Sequence, residues 1–275
     1  MAGLTLTHSR LFQGLKYAIY AFLVLNVYWF FSEEFAAAKL QFPDGVGIAN
    51  LIEAYAATID TAAWVVLLLM FELETFVLED HHFSKSVTWT LQFIRIVCYA
   101  LIIGAFNGYI DNLTFFDDVS SLAGTTDLCA LAGQWSYAVD LDEYVAITAA
   151  NCGSFSLASQ FYQFPEMAAV VDASGLFDIK ALAWVDVINA AVWLLVVLIL
   201  EIDVRLQEKD LLFGTALRVS NAMKVVLYSA LFLAAVYWGV KGDFVDFWDA
   251  FLWLVAFFFI ELNVVEWRKE TQASG

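Results

Sequence analysis

The amino-acid sequence predicts an all-α membrane protein with six transmembrane helices, and the composition of the chain carries that prediction. Of the 275 residues, 62% are hydrophobic and only 16% are charged, whereas a soluble domain is closer to about half apolar and a quarter charged. The chain contains 25 Phe, 11 Tyr and 10 Trp, which excludes a disordered protein. Its three Cys are too few for a small disulfide-framework protein.

Six mostly apolar segments are long enough to cross the hydrocarbon core, which takes about 20 residues of helix. These segments cover residues 15–31, 54–77, 87–109, 181–202, 222–240 and 244–265. We expect the first one to remain in the protein as a membrane helix and not to be removed as a signal peptide. The reason is that it shares a motif with two later segments.

The distribution of basic residues predicts the orientation. With six spans, both termini lie on one side of the membrane, and that side carries ten of the 13 Lys and Arg residues. We therefore expect a bacterial inner-membrane or plasma-membrane protein with both termini in the cytoplasm and with the long loop 111–180 outside. The net charge of −17 argues against nucleic acid as a partner, because binding nucleic acid needs a basic surface.

The long external loop contains two of the three cysteines, Cys129 and Cys152. On an oxidising face of the membrane these two residues are expected to form a disulfide bond, and the alternative is a pair of free thiols. Cys98 lies inside the third predicted span, where a buried and inert thiol is expected.

Two motifs recur along the chain. The even spans carry Asp or Asn, then Trp four positions later, then Glu eight positions after the Trp; the odd spans carry Gln or Asn, then Lys or Arg three positions later, then Tyr. Every motif position from Asp60 to Tyr99 recurs, at one constant offset and without a gap, between Asn189 and Tyr228. This constant offset predicts three parallel helical hairpins with a pseudo-threefold arrangement. The predicted hairpins are residues 1–80, 81–210 and 211–275, and the external segment 111–180 is an insertion in the second hairpin.

The motifs place charged residues at a similar depth in all three hairpins. Charges inside a span are costly, and they usually face the bundle interior and pair with one another. We therefore predict a charged inner layer formed by Lys16, Arg95, Lys224, Glu72, Glu201 and Glu261. Supporting polar groups are Tyr20, Tyr99, Tyr228, Glu74 and Asp203, with Asn263 at the equivalent position of the third hairpin. The layer either pins the helices together or forms a gate or an ion site; the alternative is that the basic side chains snorkel to the headgroups.

A second polar level is predicted near the outer face, at Asp60, Asn189 and Asp249. With the acidic external residues it would attract cations, and the alternative is an ordinary solvated acidic surface. The Trp that follows each of these residues by one helical turn is interpreted as a packing residue.

The sequence contains little that predicts catalysis. None of the three histidines, His8, His81 and His82, lies within a span, and there is no Walker loop, nucleophile elbow or C-x-x-C motif. We therefore expect no enzyme activity, no cofactor and no metal centre. The leading hypothesis is a membrane transporter or channel for a small ion or solute. The alternative is a non-transporting scaffold or accessory subunit, either as a homo-oligomer or with partners in a membrane complex.

Overall fold

The protein is mostly helical in the computed structural model, which describes residues 2–73, 85–165, 167–209 and 211–274. Four helices precede the segment 111–180 or lead into it: α1 (Ala2–Gln41), the broken pair α2 (Leu51–Ala54) and α3 (Ala56–Glu72), and α4 (Lys85–Phe115). The segment itself contains the short helix α5 (Cys152–Phe155) and five strands. After it come α6 (Ala173–Glu208), α7 (Gly214–Lys241) and α8 (Phe244–Ser274).

Four helical stretches in the described part of the chain are long and apolar enough to cross a membrane. They are Gln13–Gln41, Lys85–Phe115, Ala173–Gln207 and Gly214–Lys241. A fifth is added if the bent pair Ile48–Ala54 and Ala56–Glu72 counts as one span. The sixth predicted span, residues 244–265, lies in the helix α8 (Phe244–Ser274), whose side chains are described only as far as residue 259.

The second predicted span is broken near its start. The two helical pieces meet at Tyr55 (φ −136°, ψ 39°) and are bent by 78°. The bend brings Ile52 of α2 close to two glycines of α4, its side chain to Gly104 and its backbone to Gly108. A Cβ at Gly108 would lie 3.0 Å from the carbonyl oxygen of Ile52 and 3.1 Å from the Cβ of Ala56, so this close approach requires glycine.

The segment 111–180, which is predicted to be external, contains a five-stranded sheet, and this sheet corrects the all-α prediction. The strands are β1 (Ser120–Ser121), β2 (Ser136–Ala138), β3 (Tyr144–Ala146), β4 (Phe161–Gln163) and β5 (Ala169–Asp172), in the order β1-β4-β5-β2-β3. Only the β2–β5 pair is parallel. The central strand β5 is buried on both faces, because Ala169 and Val171 pack in one hydrophobic cluster and Val170 packs in another.

The predicted disulfide bond between Cys129 and Cys152 is confirmed. It joins a 3₁₀ turn, Leu128–Leu131, to α5. Helix α5 is also held by Phe155, whose ring stacks on Tyr137 of β2 with 4.4 Å between the ring centroids. Burial raises the pKa of Tyr137 to about 12, so its hydroxyl keeps its proton at neutral pH.

The chain divides into two compact units. Unit 1 contains the chain up to Val27 and from Ala191 onward, and unit 2 contains Tyr28–Ala190. In unit 1, the N-terminal part of α1 and the C-terminal part of α6 pack with α7 and α8. In unit 2, α3 and α2 pack on α4, and the sheet lies between the end of α4 and the start of α6. The arrangement in three hairpins stays a prediction.

Candidate functional site

A buried ion pair joins α6 to α7 in unit 1. The Nζ atom of Lys224 lies 2.9 Å from Oδ2 of Asp203, and the two side chains are only 10% and 8% exposed. The hydroxyl of Ser220 donates to the same carboxylate oxygen at 2.7 Å. Ser220 and Lys224 lie one helical turn apart and therefore share a face of α7. We call Asp203, Ser220 and Lys224 the lysine cluster.

The neighbouring acid on α6 has a different environment. Glu201 pairs with Arg205, one turn further along the same helix, at 2.8 Å, and both side chains are more than half exposed. Residues two positions apart on a helix point in nearly opposite directions. Only one of the two acids in the motif can therefore face α7, and that acid is Asp203.

A second polar contact in unit 1, which is part-buried, joins α1 to α8. Asn26 is fully buried (0% exposed), and its Nδ2 donates to Oδ1 of Asp249 at 2.8 Å. Trp253, one turn after Asp249 on α8, also hydrogen-bonds to this carboxylate. Within the described residues, Asn26 Oδ1 accepts no hydrogen bond. We call Asn26 and Asp249 the asparagine–aspartate pair.

An aromatic layer separates these two polar sites. The ring of Trp193 on α6 packs against Trp253 at 6.4 Å and against Phe257 at 4.7 Å, both on α8. Helices α6 and α8 run in the same direction, because each is joined to α7 by a short antiparallel connection. At about 1.5 Å of rise per residue, Asp203 lies about 15 Å beyond this layer and Asp249 lies about 6 Å on its other side.

The other residues of the predicted inner layer have varied surroundings. Lys16 is buried and its ammonium lies over the ring of Tyr17, 4.9 Å from the centroid. Glu72 is buried at the end of α3. Arg95 on α4 donates to Gln92 at 3.4 Å in an exposed position. Glu74 lies outside the described residues, as do the side chains of Glu261 and Asn263.

The tyrosines of the repeated motif also differ from one another. Tyr20 is buried and contacts Tyr17 edge to face at 6.1 Å. Tyr99 is 38% exposed, and Tyr228 is half-buried. These differences mean that a position shared by the motif does not have the same exposure in each copy.

The outer-level residues other than Asp249 lie in unit 2. Asp60, on α3, is partly buried. Asn189 lies on α6, and its buried Oδ1 has no hydrogen-bond partner within the described residues. Asp60, Asn189 and Asp249 thus each place a polar group on an apolar helix. Asp249 is the one whose partners, Asn26 and Trp253, are described above.

Glu34 is a partly buried carboxylate that no sequence motif had indicated. It lies on α1 and accepts hydrogen bonds from the backbone N–H groups of Ala57 (2.8 Å) and Thr58 (3.0 Å), and from the Thr58 hydroxyl (2.5 Å). Tyr55, at the N-cap of α3, makes no side-chain cap. Glu34 thus supplies the N-terminal cap of α3 from another helix, next to the break between α2 and α3.

Two further missed residues had a signal in the sequence. Asn26 is an isolated amide in the apolar run of the first span, and such groups are normally hydrogen-bonded within the bundle. Ser220 stands four positions before Lys224, a spacing that places both on one helix face. Glu34 had no comparable signal, because it stands beside Glu33 just after the predicted end of the first span.

The described residues contain no group of three or more His, Cys, Asp or Glu side chains that would hold a metal ion. His81 and His82 lie outside them. The lysine cluster and the asparagine–aspartate pair are therefore the best-defined polar sites of unit 1. Comparison with known proteins gives no match for this chain among family models, curated proteins or solved structures.

Proposed function

We propose that this protein is a multi-pass membrane transporter or channel-like protein, and that the helices of unit 1 form the path of a small ion or solute. The observation that carries the proposal is the position of ionisable groups inside apolar helices, where Lys224 and Asp203 are buried and Asp249 is partly buried. Lys224 and Asp203 are paired within the helix bundle, and Asp249 is held by Asn26 and Trp253. Ionisable residues inside a membrane are costly and commonly mark ion or proton pathways.

The order of the layers in unit 1 supports the same proposal. A path through unit 1 would pass the carboxylate of Asp249, then an apolar constriction, and then the Asp203 carboxylate with its Lys224 counter-cation. Apolar constrictions gate channels by excluding water, and charged groups beside them set which ions enter. The rings of Trp193 and Phe257 would form the constriction, and the carboxylates favour a cation over an anion.

The proposal is tested with the purified full chain in liposomes. A voltage-sensitive or pH-sensitive dye reports ion movement after a potassium gradient sets a membrane potential. We expect flux above that of empty liposomes, a loss of flux in Asp249→Asn and a changed flux in Asp203→Asn. The matched control is Glu201→Gln, which alters an exposed acid two positions from Asp203 and should leave flux unchanged.

A non-transporting accessory subunit is the second candidate, and the external module favours it. The sheet has one hydrophobic cluster formed entirely by residues of the segment 111–180, and that segment also contains a disulfide bond. These are features of a docking module. An accessory subunit would give no flux in liposomes with any of these variants. It would also co-purify from its native membrane with a stable partner chain.

A further inference from the structure

The buried amide of Asn26 faces a carboxylate and has one hydrogen-bonding atom to spare. Its Nδ2 donates to Asp249 Oδ1 at 2.8 Å, while its Oδ1 accepts nothing within the described residues. An amide has a donor on one side and an acceptor on the other, and half a turn about its terminal torsion exchanges them. With that rotation, the oxygen of Asn26 would face the carboxylate at the same separation, in place of the nitrogen.

The separation of these two side chains suits both protonation states of Asp249. For the ionised carboxylate, the 2.8 Å between Nδ2 and Oδ1 is a normal length for a charge-assisted N–H···O⁻ hydrogen bond. For the neutral acid, the same separation is normal for an O–H···O hydrogen bond, with the acid donating to the rotated Asn26 Oδ1. The same number of hydrogen bonds is kept in the two states, so taking up a proton breaks no contact between α1 and α8.

We propose that the asparagine–aspartate pair is a proton-binding site, in which Asp249 takes up one proton and the Asn26 amide rotates to accept a hydrogen bond from it. The proton adds to a carboxylate oxygen, so that a charged group becomes neutral. This inference names the ion of the transport path and in that respect rests on the proposed function. Binding of the proton itself does not require transport.

The surroundings favour a proton over a metal cation. Sodium or potassium needs several oxygen ligands, whereas the helix neighbours of the pair include aromatic residues one position or one turn away. Phe22 of α1 contacts Trp248 at 5.8 Å, and Trp253 lies against Trp193. One carboxylate in an apolar setting is neutralised by a single positive charge, and a divalent ion would leave an excess charge.

Other ionisable groups lie on the same helices and on the neighbouring ones. On α1 they include Tyr20 and Tyr28, and on α7 Tyr228, Tyr237 and Lys241. On α6, Asp186 stands seven residues before Trp193 and Glu201 eight residues after it. On α8 itself, Asp246 lies one turn before Asp249, and Asp243 precedes the helix. Both of these acids disfavour a second negative charge close by. A pH-dependent signal from the pair must therefore be separated from theirs by substitution.

The test is infrared difference spectroscopy of the purified full chain in lipid, titrated from about pH 4 to about pH 9, the range in which a carboxylic acid can titrate in a protein. We expect a carboxylic-acid C=O band that is lost completely in Asp249→Asn and fully kept in Glu201→Gln and Asp246→Asn. Asn26→Leu removes the hydrogen-bond partner and should shift that band in frequency, which a purely structural role of Asn26 would not require. Asp249→Asn is nearly isosteric, so gel filtration should show it folded.

Each outcome of this titration decides the proposal. A band that survives in Asp249→Asn, or one that Asn26→Leu leaves at the same frequency, would overturn it. So would a signal that responds to sodium and not to pH. The band without flux in liposomes would support the proton site and refute the proposed transport. Flux in liposomes without the carboxylic-acid band would support the proposed transport and refute the proton site.

Discussion

Replacing Lys224 with Met tests the central feature of unit 1. The change keeps the length of the side chain but leaves the Asp203 carboxylate buried without its cation. Breaking a buried ion pair typically costs about 3–5 kcal/mol. Asp203 would keep its hydrogen bond from Ser220, and a hydrogen bond to a charged group contributes about 1.5–3 kcal/mol. We therefore expect a loss near the lower end, about 3 kcal/mol, in the free energy of unfolding.

The measurement is an SDS titration of the purified protein in mixed micelles. The matched control is Arg205→Met, which breaks an exposed pair on the same helix and should cost at most about 0.5 kcal/mol. The difference of about 2.5 kcal/mol corresponds to roughly a 60-fold change in the unfolding equilibrium. Lys224→Met combined with Asp203→Leu should recover most of the loss, because no buried charge is left. Equal losses in Lys224→Met and Arg205→Met, or simple additivity in the double variant, would refute the reasoning.

Three more predictions concern contacts described above. Glu34→Ala removes the cap of α3 and should lower the free energy of unfolding, measured by SDS titration, by about 1–3 kcal/mol. Glu34→Gln keeps one acceptor oxygen and should lower it by less. Equal losses in the two variants would argue against capping. Gly108→Ala should destabilise the protein, because the new Cβ would meet the carbonyl oxygen of Ile52. Gly14→Ala, where a Cβ would have no atom within 4 Å, should stabilise α1 by up to about 1 kcal/mol. A gain in stability in both variants would contradict the close packing at Gly108. Cys129→Ser with Cys152→Ser should destabilise the external module by roughly 3 kcal/mol, seen as faster proteolysis of residues 116–172, and unchanged proteolysis would count against it.

The long helices and the disulfide bond were predictable because the signals for them are local or topological. An apolar run of about 20 residues predicts a membrane helix wherever it occurs. Cys129 and Cys152 could be paired because the distribution of Lys and Arg predicted one external loop that contains both of them. Neither inference needed knowledge of which helix packs against which.

The sheet and the broken helix depend on contacts between residues distant in the sequence. The strands have only two to four residues each, too short for a clear alternation of apolar and polar residues. The parallel β2–β5 pair joins segments with α5 and two strands between them. Tyr55 carries no Pro or Gly signal for a break; the bend there is accompanied by the cap from Glu34 and by the close approach to Gly108.

The repeated motif predicted some residues of the candidate site but not their contacts. It identified Lys224, Asp203 and Asp249, because charged residues in apolar helices stand out in the sequence. It did not identify which acid faces Lys224, since spacing along one helix gives no rotation relative to the next. The partners Asn26 and Ser220 were missed because neutral polar residues are common in membrane helices and are recognised only by their contacts.

The contact between Asn26 and Asp249 also constrains the biosynthesis of the protein. The two residues are 223 positions apart, and at about 5–20 residues per second a ribosome takes roughly 10 to 45 s to cover that distance. In contrast, Asp203 has already been synthesised when Ser220 and Lys224 are added to the chain, so their hydrogen-bonding partner is present from the start. During the interval the Asn26 amide needs another partner, such as water, lipid or the insertion machinery. Unit 1 can therefore close only when α8 arrives, and a nascent chain stalled before α8 would expose an unsatisfied amide that quality-control machinery in the membrane can recognise.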